Sequence, residues 1–233
     1  MQKMMNKERF LSEIDLAVDE HAMLKHPFYK SWSAGALSKE TLTQYAKQYY
    51  AHVSAFPTYV SGVHSQCDEL PVRQALLENL IEEERGAENH PQLWMRFAES
   101  LGAVADEVRS APLLDATKES VESLRVLTRE RGYLQGLAAL YAYESQIPEV
   151  AKTKREGLKS FYSIDDKDAV SFFSVHEDAD LIHRDVERKL LADGAKTRSQ
   201  QDSVIAAARD GAKALWRFLD GVQEAYLKPA AAC

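Results

Sequence analysis

Apolar residues recur along this chain at intervals of three and four almost from end to end, the spacing of one face of an α-helix, while runs of strictly alternating apolar and polar residues are scarce. The pattern predicts an all-α chain. A first helix is expected over 7–21. A short second one carries Phe28, Tyr29 and Trp32 up to a stop at Gly35. Ser38 is placed to cap a long aromatic-rich helix opened by Thr41 and Leu42, which Pro57 should kink. Pro71 opens a helix with Leu76, Leu77 and Leu80 on one face that should run to His90, and Pro91 begins the next, ending at Gly102. The stretch 106–114 reads as the longest loop. Further helices are expected over 115–130, 133–158 with a break near Pro148, 166–192 and 197–226. With no repeat, linker or shift of composition, residues 1–228 read as one domain and 229–233 as a disordered tail.

Composition narrows the function. Lys and Arg total 29 against 36 Asp and Glu, a formal charge of -7, and no basic block could follow a phosphate backbone, so nucleic acid is not an expected partner. No apolar run approaches the ~20 residues of a membrane span. The first 25 residues carry Glu8, Glu13, Asp15, Asp19 and Glu20 and lack a signal-peptide core, which points to the cytoplasm. Cys67 and Cys233 form no metal or redox pair, so any metal must be held by His, Asp and Glu.

Ionisable residues stand where the periodicity assigns the core. From Pro71 the inward series is Leu76, Leu80, Glu83, Ala87, His90 and Trp94. Seven residues are about 10 Å of helix rise, so Glu83 and His90 can serve one compact site only by reaching toward each other, or if Gly86 and Pro91 distort the turn. Glu144 lies three, four or seven residues from Leu137, Leu140, Tyr141 and Ile147. Phe173, His176, Asp180, His183, Glu187 and Leu190 form a third stripe. One inward His is usually a hydrogen-bonded core residue, and Glu83 within the run Glu82–Glu84 would ordinarily face water. Two Glu, one Asp and three His on three apolar stripes are poorly explained by packing. Three carboxylates nearly neutralise two divalent ions, and imidazole with carboxylate and no thiolate suits iron or manganese. The Glu-x-x-His repeats of ferritin-like di-iron bundles are absent, so a different helical bundle is expected.

The blocks HPFYKSW (26–32), QYAKQYYAHVSAFP (44–57), EEERGAENH (82–90), ALYAYESQIP (139–148) and HEDADLIH (176–183) resemble, in order, the CADD-like branch of the heme-oxygenase-like dimetal proteins, relatives of the PqqC and TenA folds. The resemblance runs from Phe10 to Leu219. It implies a seven-helix bundle paired as a homodimer, with a dinuclear site (Fe/Mn or Fe/Fe) ligated by Glu83, His90, Glu144, His176, Asp180 and His183. It also implies formation of para-aminobenzoate for folate synthesis, with dioxygen and a reductant, from the protein's own tyrosine, matching Tyr29, and a nitrogen-donating lysine, matching Lys154. Tyr45 and Tyr143 match aromatic positions of the family that would relay a radical or orient the site. On periodicity alone Tyr29 reads as a core aromatic. Lys154, between Lys152 and Arg155, reads as part of a solvated face, so both roles rest on the resemblance.

Two other readings compete. A dimetal oxygenase acting on a diffusible small molecule would use the same ligands. An interaction protein is suggested by the death-domain partners of chlamydial members, although nothing in this sequence encodes such binding. Thiamine hydrolysis is disfavoured because neither cysteine lies near the inward stripes, and a cofactorless oxidation would leave three inward carboxylates without a metal.

Overall fold

Helix starts follow the local chemistry of the chain. Asn6, Ser38 and Asn89 accept hydrogen bonds from the backbone N–H of Arg9, Thr41 and Gln92, and Thr197 forms a reciprocal capping box with Gln200. Pro27, Pro71, Pro91 and Pro148 sit in first turns, where a missing N–H costs nothing. The computed structural model describes residues 3–227. Their helices are α1 (Lys7–Asp19), α2 (Pro27–Ser33), α3 (Lys39–Gln66), α4 (Leu70–Glu84), α5 (His90–Ser100), α6 (Ala105–Arg109), α7 (Asp115–Glu130), α8 (Tyr133–Glu144), α9 (Ile147–Tyr162), α10 (Ser171–Gly194) and α11 (Arg198–Tyr226), with a 3-10 turn at Met23–Lys25.

No strand occurs among the described residues, so the all-α expectation holds. The bundle is cut into more pieces than seven. The helix expected to reach His90 stops at Glu84 and the loop after Asp106 holds the short α6, while the break expected near Pro148 is present, parting the 133–158 segment into two helices at Ser145 and Gln146. Conversely, α3 runs through Pro57 to Gln66 without interruption. The expected tail at 229–233 lies outside the described residues. No helix among the described residues is long and apolar enough to cross a membrane.

The middle of the bundle is α8. Every residue from Gly136 to Glu144 is buried, and α3, α7, α10 and α11 all pack against it. A helix that is apolar on all sides has only the core to occupy. Its last residue, Glu144, is thereby delivered into the interior.

Across the bundle, α3 buries Tyr45, Tyr49, His52, Val53 and Phe56 along one stripe. Burying each large apolar side chain contributes about 1.5–3 kcal/mol before entropy is subtracted. Gln48, on the same helix, accepts from Leu114 N–H (3.0 Å) and the Thr117 hydroxyl (2.8 Å) and donates to the Pro112 carbonyl (2.9 Å), which fixes the segment entering α7.

The α2–α9 contact depends on Gly157. A Cβ there would stand 2.7 Å from Trp32 Cδ1, so only glycine lets the indole lie on α9. Trp32 Nε1 then donates to the Lys154 carbonyl (3.2 Å). This seats α2, with Tyr29, against the turn of α9 that bears Lys154.

Candidate metal centre

Glu83 occupies the last turn of α4, where Arg85 turns extended and Gly86 takes φ +81°, a region that costs an L side chain energy. Asn89 then caps α5, and His90 is its first residue. This break replaces the continuous stripe expected from periodicity. Ala87 is exposed rather than inward, while His90 folds back until its Nδ1 lies 2.8 Å from Glu83 Oε1. The distortion that allows one shared site is therefore present.

The third stripe lies on α10. His176 Nδ1–H donates to the Phe172 carbonyl (2.6 Å), which fixes the tautomer and leaves Nε2 with a free lone pair. Asp180 and His183 follow on the same face, and His183 Nδ1 stands 3.1 Å from Glu144 Oε1 and 3.5 Å from Asp180 Oδ1. Asn79, one turn before Glu83, donates to Glu144 Oε1 (2.9 Å).

All six residues singled out by spacing thus come together, in two clusters. Glu83, His90 and His176 bring donor atoms within 4.8 Å of one another, and Glu144, Asp180 and His183 do the same. His176 and Asp180, one from each cluster, lie one turn apart on α10, and members of both clusters line one cavity.

The donor set fits a pair of divalent ions. Buried polar atoms without a hydrogen-bond partner collect here: Oε2 of Glu144, Oδ2 of Asp180, and both carboxylate oxygens of Glu187. Buried polar groups are normally satisfied, and a metal is the partner that would satisfy several lone pairs at once. Each cluster mixes imidazole with carboxylate and holds no thiolate, the ligand chemistry of iron and manganese.

Protons stand in for cations in the electrostatics. Burial raises the Glu83 carboxyl, partly offset by His90 beside it. Burial, reinforced by the charges of Glu144 and Glu83, pushes Asp180 up to about 7. Burial alone would lower His183, but the carboxylates of Asp180 and Glu144 outweigh it and push the imidazole up to about 11. Burial drives His176 well below the ordinary imidazole value, so it is a neutral ligand ready for metal.

Beside these clusters lies an aromatic group. Tyr29 and Tyr45 share a hydrogen bond between hydroxyls (2.8 Å), and Tyr143 donates to the Tyr49 hydroxyl (2.7 Å). The Tyr45 and Tyr49 rings stack at 5.4 Å. Lys154 Nζ lies among them, 5.3 Å from the Tyr29 ring centre, 5.1 Å from Tyr45 and 4.6 Å from Tyr49. The solvated face read for Lys154 is thus corrected. The residue is 2% exposed, because α9 turns this position toward α2 and α3 while Lys152 stays outside. Burial takes its amine well below the usual lysine value, which favours the neutral form.

Three neighbours of the site were not among the expected functional residues, and spacing held a signal for each. Glu187 follows His183 by one turn, Asn79 precedes Glu83 by one turn, and Tyr49 follows Tyr45 by one turn. A cavity of about 30 Å³, open to the centres of water-sized spheres, joins the two groups. Glu83, His90, His176, Asp180, Glu144, Tyr49, Tyr143 and Lys154 line it, with apolar residues of α9 and α10.

Comparison with known proteins agrees with this arrangement. Residues 43–216 match the family described as iron-containing redox enzyme. A protein of Nitrosomonas europaea named 4-aminobenzoate synthase is 40% identical over 226 residues, covering 93% of this chain and 92% of its own. A 4-aminobenzoate synthase of Chlamydia muridarum is 40% identical over 224 residues, covering 96% and 92%. Among solved structures, a domain with a heme oxygenase-like fold from Shewanella denitrificans superposes with a TM-score of 0.80 at 18% identity, covering 97% of this chain and 95% of that one. The chain therefore belongs to the family described as iron-containing redox enzyme and is a full-length homologue of these 4-aminobenzoate synthases.

Proposed function

We propose that this protein forms 4-aminobenzoate once, from its own Tyr29, with Lys154 as the amine donor and with dioxygen and an external reductant as co-substrates. Glu83, His90 and His176 would hold one metal ion and Glu144, Asp180 and His183 the other, as iron with manganese or as two irons. Bound there, two reduced ions would supply the electrons that activate dioxygen and the oxidising power that follows.

The observation that carries the reading is the size of the cavity. Sites for organic ligands usually measure about 300–1,000 Å³. The 30 Å³ here is room for about two waters or a diatomic gas, not for an aromatic substrate. Dioxygen can enter where a diffusible ring cannot, so the ring to be oxidised is best supplied by the protein itself, from the aromatic group behind the cavity wall.

Tyr29 offers a ring carrying carbon and oxygen at para positions, the pattern of 4-aminobenzoate with oxygen in place of nitrogen. Its hydroxyl is held by Tyr45, and its ring is fully buried between Phe28 and Trp32. A neutral amine is a nucleophile where an ammonium is not, and burial favours that form of Lys154, 5.3 Å from the centre of the ring. The surrounding aromatic wall excludes water that would otherwise compete with the amine.

Isotopes test the proposal directly. Protein made with ring-¹³C tyrosine and ¹⁵N lysine, then loaded with unlabelled metal, reductant and dioxygen, should release 4-aminobenzoate carrying both labels. Unlabelled product, formed in many equivalents from an added compound, would show a diffusible substrate instead.

A further inference from the structure

Tyr29 and Tyr45 do not line the metal-ligand cavity; Tyr49 and Tyr143 do. Oxidation that begins in the cavity must cross a residue to reach Tyr29. Resting on the self-consuming reading above, we propose that Tyr49 is the redox relay between the metal centre and the Tyr29–Tyr45 pair.

Three contacts single it out. Its ring stacks on Tyr45 at 5.4 Å and 25° between planes, the overlap through which an electron passes most readily. Its hydroxyl accepts from Tyr143 at 2.7 Å, which leaves its own proton free to depart into the cavity. On the far side of Tyr45 the path closes at Tyr29 through the 2.8 Å hydroxyl contact. Tyr143, the other phenol of the cavity wall, packs on Phe56 and His52 and reaches Tyr45 only through Tyr49. Trp94 touches both Tyr45 and Tyr49 but does not line the cavity. The phenylalanines of the wall, Phe56, Phe172 and Phe173, are far harder to oxidise than a phenol.

The step balances as follows. Dioxygen is the oxidant, and the metal centre that reduces it would take one electron from Tyr49, whose phenolic proton would pass to the Lys154 amine, 4.6 Å from the centre of the Tyr49 ring in the same cavity. Tyr49 would recover an electron from Tyr45 across the stack and the proton from the same amine, and so end unchanged. The Tyr29–Tyr45 pair, one electron short, releases one proton to the Lys154 amine. The sum is one electron gained by the centre, one electron and one proton lost by the phenol pair, and one proton gained by the amine.

The test compares wild type with Tyr49→Phe and with a protein carrying 3-aminotyrosine, an easily oxidised trap, at position 49. Each is loaded anaerobically with Fe(II) and Mn(II), given reductant and then dioxygen. Metal content, the paramagnetic resonance spectrum and the mass of the Tyr29 peptide are then measured. Tyr49→Phe, which keeps the ring and its packing, should bind metal as wild type does yet lose Tyr29 about tenfold more slowly or less. The aminotyrosine protein should show the spectrum of its own radical and keep Tyr29 intact, a signature that a packing role for Tyr49 would not produce. Loss of Tyr29 in Tyr49→Phe at the wild-type rate overturns the relay alone, as does an aminotyrosine that stays silent while Tyr29 is consumed. A wild-type Tyr29 that keeps its mass overturns the self-consuming reading and the relay with it.

Discussion

His90 meets Glu83 at 2.8 Å across a break in the helix, although a continuous helix would set the two about 10 Å apart along its axis. The break is made by Gly86 at φ +81° and by the Asn89 cap, and it is what turns two separate polar residues into half of one cluster.

Replacing Gly86 tests that link. No atom lies within 4 Å of a Cβ built at this position, so Gly86→Ala meets no steric clash and only the backbone resists it. An L side chain at this φ costs about 1–2 kcal/mol. We expect a small loss of thermal stability and weaker metal binding together. Unchanged metal affinity, measured by competition with a chelator, would show that the turn does not set the Glu83–His90 contact.

The contributions of Asp180 and His183 to the stability of the metal-free protein should be lost as pH rises. Asp180 is pushed from 3.8 up to about 7 and His183 from 6.5 up to about 11. Both are raised above their unfolded values, so their contributions are fully present below those values. The Asp180 contribution is lost across about 3.8 to 7, and that of His183 across 6.5 to about 11. Metal must displace these protons, so binding at pH 7 should release protons and tighten toward pH 9. Calorimetry in two buffers of different ionisation enthalpy measures the release, and a heat independent of buffer contradicts it.

His183→Ala should keep its helices and lose bound metal. It removes a donor from the cluster of Glu144 and Asp180 and leaves their buried carboxylates without a cationic partner, at a cost of about 1–3 kcal/mol. Normal metal stoichiometry by elemental analysis would remove His183 from the ligand set.

Lys154→Met should separate function from stability. Methionine fills similar space without an amine to desolvate, so the fold should gain about 1–3 kcal/mol while 4-aminobenzoate is no longer formed. The Lys154 value lies below that of an unfolded lysine, so the unfolded chain binds a proton below pH 10.5 that the native state does not. The advantage of the variant should therefore grow as pH falls below 10.5. A variant melting below wild type at pH 7 would contradict the burial argument.

Much of this was legible in the sequence, and the exceptions have physical causes. Helical periodicity placed Glu144 and the His176, Asp180, His183 stripe correctly because each lies within one helix, where spacing alone fixes the face. The Glu83–His90 contact depends on a turn, so periodicity could state only the condition for it. Lys154 misled because a charged residue between Lys152 and Arg155 reads as solvated until the packing of α2 on Gly157 is known. For Tyr49 the one sequence signal is its spacing of one turn from Tyr45, which places it on the same helix face but does not say what that face meets. Its distinction is that it alone both lines the cavity and stacks on Tyr45, a tertiary fact.

The most direct measurement of the central claim is mass spectrometry of the intact protein and of its Tyr29 peptide, before and after anaerobic loading with Fe(II) and Mn(II), reductant and dioxygen. Loss of mass at Tyr29 alongside no more than one equivalent of 4-aminobenzoate is the expected result. An unaltered Tyr29 in a protein that consumes dioxygen and turns over repeatedly would contradict it.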